Sequence, residues 1–414
     1  MNKLISKIIY GVTHAAYNLV LHAYSIYVRC RVAKIRKKKK IRFLFVLQDL
    51  SQWKSENLYL FMLQHERFDP VLGITNNLEI PGAEKAVVTY CKEKHYEYIM
   101  LDAQKTLKEQ VHPDVVTFQK PYASMIPPAF LLRKNPTIPF VCIPYGMSSI
   151  VESWQINKPM HLFCWMRFFE NQSSADEHAP FHLLHGRNYV VTGLPFMDDL
   201  TRPRDTFPSP WPSDCRKKRI IYAPHHSLPG MSKEGIGYAT FLDNGQFMAE
   251  MRDKYKDEVY FVFKPHPLLR QKLTACWGKE RVDAYYADWQ NKENSHLEQG
   301  AYLGLFKHSD ALIHDCGSFT VEYFYTGNPA MYLLRDEHHA DNMSSYAKEA
   351  FNMHEKAYTH EDIERFIQQV IHGEDPKKEA RDSYVSQQLM PPHGKKACEN
   401  IVNAILGEEE YSHM

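Results

Sequence analysis

The sequence lacks any charge excess: 50 Lys and Arg stand against 49 Asp and Glu, a net charge of +1. Such a chain has no global field for nucleic acid, so any polyanion has to be met by a local patch. Paired cysteines are also missing. The 8 cysteines are scattered, with no CxxC pair and no metal-like spacing with histidine, which argues against a disulfide framework and fits a reducing cytoplasm. No acidic cluster demands a metal, and beyond one run of lysines there is no internal repeat or low-complexity segment. Uninterrupted apolar length is absent too. In the N-terminal stretch MNKLISKIIYGVTHAAYNLVLHAYSIYV, the residues Lys3, Lys7, His14, Asn18 and His22 break every window long enough to cross a bilayer.

What is present suits two α/β domains. A chain of 414 residues with 44% hydrophobic and 13% aromatic content fits two domains of roughly 150–200 residues. At ~100° per residue the five interrupting residues and Ser25 fall on one stripe, with Leu4, Ile5, Ile8, Val12, Ala16, Leu19 and Ile26 around it. This predicts an amphipathic interfacial helix. The following segment RCRVAKIRKKKKIR, residues 29–42, carries nine basic residues and no acid. Helix and polybasic run together form the two-signal arrangement of a peripheral membrane anchor on an anionic surface, at the cytoplasmic face of the cell membrane. Residues 1–40 are therefore expected to stand apart from both domains.

From IRFLFVL onward, buried strands alternate with helices. Residues 41–200 read as a first Rossmann-like, doubly wound domain. The proline- and charge-rich TRPRDTFPSPWPSDCRKKR is a linker, and 201–390 repeats the alternation as a second domain. Residues 391–414 close the chain with a helix and tail.

Three strand ends in the second half carry polar residues: APHHS with His225 and His226, FKPHPLL with Lys264 and His266, and HDCGS with Asp315, Gly317 and Ser318. Parallel strands with right-handed crossovers put such loops on one rim, where open α/β sheets bind ligands and helix N-termini attract anions. In SDALIHDCGSFTVEYFYTGNPAMYLL the pattern predicts a strand, a tight turn at 315–318 and a helix that Gly327-Asn328-Pro329 stops. Asp315 is a poor phosphate ligand because like charges repel; it suits holding the turn or a donor hydroxyl.

With YAP (222–224), PHP (265–267), SDALIHDCGS (309–318) and HGKKACENI (393–401), joined by SENLYLF (55–61) and TGLPFMDDL (192–200), the chain resembles the CDP-glycerol glycerophosphotransferase family of teichoic-acid-type polymer synthesis. The resemblance implies a GT-B fold, two Rossmann-like domains facing a cleft, with 41–200 as the acceptor domain and 201–390 holding the nucleotide donor, and transfer of glycerol phosphate, or a similar polyol phosphate, from a CDP-activated donor to a hydroxyl of a lipid-linked or surface-glycan acceptor, releasing CMP. No cofactor is expected beyond that donor substrate, and no acidic cluster demands a metal. By the family's motifs His266 contacts the donor phosphates and helps CMP leave, while Gly317 and Ser318 bind a phosphate; Lys264, His226 and Asp315 join them in the donor site. The family usually carries a Trp-His-Gly loop whose histidine is the general base, and this chain has Pro144-Tyr145-Gly146. A phenol is a weak base at neutral pH unless a cation lowers its pKa. Either Tyr145 is activated, or another residue such as His225 or His226 serves, or the acceptor differs. Two other readings stay open, a GT-B glycosyltransferase using a CMP- or UDP-sugar and a non-catalytic scaffold of a surface-polymer complex.

Overall fold

The structure is a computed structural model that describes residues 2–411 apart from 79, 121, 152, 232–238, 301 and 342. Side chains of residues 2–16 and 18 lie outside the described part, and with them the stripe positions Lys3, Lys7, His14 and Asn18. The chain divides into two compact units, one of residues 1–147, 151–198 and 390–414, the other of 148–150 and 199–389.

In the first unit, β1 (Ile41–Leu47), β2 (Phe68–Ile74), β3 (Tyr98–Met100) and β4 (Val115–Phe118) form a parallel sheet in the order β3-β2-β1-β4. A single parallel bridge from Val116 to Phe140 leads to a second sheet of β5 (Val141–Cys142), β6 (Met166–Phe169) and β7 (Tyr189–Val191). All of β1 except Arg42 is buried, as expected of a near-continuous apolar run covered on both faces. The strand expected over 139–146 shrinks to Val141–Cys142 because prolines flank it on both sides, at Pro139 and Pro144.

Two sequence motifs meet in this unit. In TGLPFMDDL, Gly193 has φ +77, and a Cβ there would lie 2.9 Å from the Ala397 Cβ. The Asp198 carboxylate accepts from the N–H groups of Ala397 at 2.7 Å and Cys398 at 3.0 Å, capping the helix Ala397–Leu406. The terminal motif is thus a docking element of the first unit. The other end of that helix is met by Arg36, which donates to the carbonyls of Ile405 at 2.9 Å and Ala404 at 3.0 Å.

The long N-terminal helix, Asn2–Ile35, is not a detachable anchor. Its Leu21, Val28, Val32 and Ile35 are buried, and Tyr24 meets Phe163 edge-on at 5.4 Å. Of the nine basic residues, Arg31 bonds the Thr137 carbonyl, Lys38 pairs with Asp114 and Arg42 lies 3.5 Å from Asp69. The expectation that residues 1–40 stand apart is corrected: an apolar stripe was assigned to a membrane where one half of it packs on protein. Leu19, Val20, Ile26 and Tyr27 remain exposed on the opposite face. Among the described residues no helix is long and apolar enough to cross a membrane.

The second unit holds a six-stranded parallel sheet of β8 (Lys218–Ala223), β9 (Val259–Phe263), β10 (Ser295–Leu297), β11 (Ala311–His314), β12 (Ala330–Leu333) and β13 (Glu355–Ala357). Its order is β10-β9-β8-β11-β12-β13, which within the unit is 3-2-1-4-5-6, the Rossmann order. The first unit's sheet begins in the same way. Two Rossmann-like units in one chain make this a GT-B-like α/β protein. Residues Phe241, Phe263 and Trp289 fill the core beside the sheet, and the linker is anchored where Trp211 Nε1 donates to the Leu305 carbonyl at 3.2 Å.

Candidate active site

In a 3-2-1-4-5-6 sheet the strand order reverses between strands 1 and 4, and the loops leaving those two parallel strands diverge to open a ligand crevice. Here those strands are β8 and β11, and β9 flanks β8. The three polar loops singled out from the sequence leave the carboxyl ends of these three adjacent strands.

The loops are locked together by backbone and one buried acid. The His266 N–H donates to the Pro224 carbonyl at 3.0 Å, which ties the β9 loop to the β8 loop. Asp315 ties the β8 loop to the β11 loop: its carboxylate accepts from the His225 N–H at 2.6 Å, the Thr240 N–H at 2.7 Å and the Thr240 hydroxyl at 2.9 Å. Asp315 is fully buried, and burial pushes its carboxyl up to about 6 although these three donors pull it down. Its part in the site is to hold the loops, which follows from where its oxygens point.

The structure brings His225, His226 and His266 into one cluster. Ring centroids are 4.3 Å apart for His225 and His226, 4.1 Å for His226 and His266, and 4.9 Å for His225 and His266. Their nearest ring nitrogens lie within 4.8 Å of one another, a grouping that spacing along the sequence did not show. A metal ion is one conceivable occupant; the tautomers favour another. Nδ1 of His225 accepts from the Ser227 N–H at 3.3 Å, and Nδ1 of His266 accepts from the Leu268 N–H at 3.1 Å. A backbone N–H only donates, so these contacts favour the Nε2–H tautomer, in which the Ser227 hydroxyl, 3.0 Å from His225 Nδ1, donates as well. Burial first, then the neighbouring histidines and Lys272, lowers His225 to about 2 and His266 to about 3. Both rings are therefore neutral at physiological pH, and an Nε2–H on either can donate to an anionic oxygen.

Lys264 is buried, with its ammonium 2.8 Å from the Gly300 carbonyl. Gly317 and Ser318 sit on the β11 loop, with Ser318 exposed. Ser318 does not cap a helix: it has helical angles, φ −66 and ψ −31, and makes no side-chain cap bond. Its hydroxyl lies 3.3 Å from the Cys316 sulfur. The expected helix is one turn, Phe319–Glu322, running into a 3-10 turn that ends at Gly327 with φ 74. Cys316 is no nucleophile, because burial raises its thiol to about 11. Tyr145 belongs to the first unit, 38% exposed at the end of β5, with the Lys120 ammonium 5.4 Å from its ring centre.

Sequence reasoning missed Ser227 and Thr240. Ser227 had a signal, the two-residue step from His225 that lets its N–H reach the ring. Thr240 had none, being 75 residues from the carboxylate it binds.

Comparison with curated proteins gives no match. Among solved structures, a variant of the wall teichoic acid polymerase TagF is similar over 99% of this chain and 98% of its own, with 13% identity and a TM-score of 0.57. A TagF structure soaked with CDPG covers 97% of both chains at 12% identity and a TM-score of 0.56. The UDP-GlcNAc 2-epimerase of Neisseria meningitidis bound to UDP-GlcNAc matches 89% of this chain and 99% of its own, at 16% identity and a TM-score of 0.55. At such identities the likeness is one of fold. Residues 170–407, more than half the chain and the whole of the second unit's sheet, match the family described as CDP-glycerol:poly(glycerophosphate) glycerophosphotransferase, and the chain belongs to that family of CDP-glycerol-type transferases.

Proposed function

We propose that the protein transfers glycerol phosphate, or a closely similar polyol phosphate, from its CDP-activated form to a hydroxyl of a lipid-linked or surface-glycan acceptor. The observation that carries this reading is the cluster of three imidazoles at the β8–β11 switch point. The acceptor oxygen attacks the phosphorus that bears glycerol, a new P–O bond forms, and the bond from that phosphorus to the bridging oxygen breaks. The bridging oxygen leaves on CMP. Nε2–H groups of His225 and His266, fixed by the backbone before the donor arrives, point at oxygens where negative charge grows, which is how preorganised donors lower a phosphoryl-transfer barrier. Ser318 and the β11 loop hold the donor from the other side of the crevice.

The acceptor proton goes to a base. His225 suits that role poorly, since its Nδ1 already accepts a bond and its Nε2 carries the proton. Tyr145, with the Lys120 ammonium 5.4 Å from its ring centre, stays the other candidate for that role.

Attachment to the cytoplasmic face of a membrane belongs to the same reading. Arg29, Lys34, Lys37, Lys39 and Lys40 take no side-chain partner among the described residues, and the exposed Leu19, Val20, Ile26 and Tyr27 share their helix with Arg29.

Incubation of the protein with CDP-glycerol, CDP-ribitol, CMP-sugars and UDP-sugars, scoring CMP and UDP release, tests the donor class. CMP from a CDP-polyol is expected. Release only from a sugar nucleotide would replace the assignment by a glycosyltransferase, and donor binding without turnover on any acceptor would make the protein a scaffold.

A further inference from the structure

Far along the first unit from β1, the inner face of the N-terminal helix and the segments around β6 and β7 enclose a cavity of about 260 Å³. Its apolar wall includes Phe163 and Leu184, and its polar groups include Tyr24, Arg29, Arg187 and Asn188. The Tyr24 hydroxyl and the Asn188 Oδ1 are buried there without a hydrogen-bond partner. Such atoms cost free energy unless something fills the space and meets them. Arg29 and Arg187 are exposed at the rim and form no ion pair among the described residues. No carboxylate lines the cavity, so its field is cationic.

The helix places this cavity beside an apolar surface. Stepping ~100° per residue, His22, Ser25 and Arg29 occupy the flank that borders the cavity, and the exposed stripe of Leu19, Val20, Ile26 and Tyr27 follows immediately around the helix. A ligand that satisfies both features is an amphiphile with an anionic head. The head meets two guanidiniums and a phenolic hydroxyl, and the chain lies along the stripe.

We infer that this cavity is a site for the phosphate head of an anionic membrane lipid, which fixes the protein's orientation on the bilayer rather than merely attracting it there. The inference rests on the membrane reading given above and extends it to a defined headgroup. A polybasic run alone recognises charge density; a cavity with paired arginines recognises a phosphate.

Monomeric dihexanoyl phosphatidylglycerol, dihexanoyl phosphatidylcholine and inorganic phosphate, each added to the full-length protein while its unfolding temperature is followed, provide the test. Short-chain phosphatidylglycerol is expected to raise the temperature and the other two to leave it unchanged. Arg29→Ala with Arg187→Ala should weaken that lipid about tenfold or more, and Tyr24→Phe about fivefold, the scale of charged and neutral hydrogen bonds. Arg29 and Arg187 are exposed and Tyr24→Phe keeps the ring that packs on Phe163, and folding is checked by unchanged CMP release. Equal shifts from phosphatidylcholine, or an unchanged response in the double variant, overturn the inference, and so does inorganic phosphate acting as well as the lipid, which would make it a free-anion site. Sedimentation of the full-length protein with phosphatidylglycerol vesicles separates this from the parent reading: vesicle binding without monomer binding removes only the cavity's role, whereas no vesicle binding removes both.

Discussion

A neutral histidine and a charged one make different demands on chemistry, and the environment of His266 selects the neutral form. With His225 lowered to about 2 and His266 to about 3, chiefly by burial, both rings are uncharged around neutral pH. The kcat/KM profile should therefore show no acid limb near 6.5. An inflection there that disappears in the His266→Ala variant would mean that the ring works as an imidazolium. Replacement of His266 by Ala should lower kcat by about 10²–10³, the usual scale for one preorganised donor to developing charge. His266→Gln keeps a neutral N–H near the Nε2 position and should retain far more of the rate; equal losses in the two variants would argue against the donor role. Ser318→Ala should raise KM for the donor more than it lowers kcat, and an effect on kcat alone would place the hydroxyl elsewhere.

At the scale of elements, the site depends on three strand-end loops that stay in register through one acid. Asp315→Asn presents an amide N–H to a backbone N–H that needs an acceptor, leaving one buried donor unpaired. The expected cost is about 1–3 kcal/mol of stability by denaturant titration, together with weaker donor binding. Thr240→Val removes a single hydroxyl bond and should cost about 1 kcal/mol. An Asp315→Asn variant as stable as the parent would show that the loops are held otherwise. Much of this architecture was legible in the sequence. Apolar runs such as IRFLFVL and VYFVF can only be buried strands, and punctuation by Gly327-Asn328-Pro329 marks where a helix stops. The meeting of APHHS, FKPHPLL and HDCGS followed from handed crossovers. What stayed hidden depends on distance or on the number of faces an element buries. Thr240 reaches Asp315 across 75 residues, and the N-terminal helix is apolar on two sides, of which sequence periodicity assigned both to one membrane. The partnership of Asp198 with Ala397 and Cys398 joins two motifs that the sequence offered separately.

For the whole molecule, acid stability follows from histidines that no mechanism uses. His161 is lowered to about 3, His182 to about 4 and His354 to about 3, chiefly by burial, and His314 falls as well for the same reason. The unfolded chain takes up these protons near 6.5 and the folded one does not until far lower pH. Stability supplied by the neutral folded rings is thus present above 6.5 and falls as pH drops toward 4, by about 1.4 kcal/mol per pH unit for each ring once well below 6.5. Asp315, raised to about 6, works in the opposite direction as a single group. Urea midpoints measured at pH 7 and pH 5 should differ strongly in favour of pH 7, and an unchanged midpoint would show that these rings are not buried in solution. The bonds from Asp315 to His225 and Thr240 have one more consequence, which concerns time. They span 90 and 75 residues, and contacts of such length close late in folding. A chain still emerging from the ribosome has made its histidine loop long before the acid that positions it exists. Catalytic competence then arrives in one step, when β11 inserts beside β8, so a half-made protein is chemically silent toward its own donor.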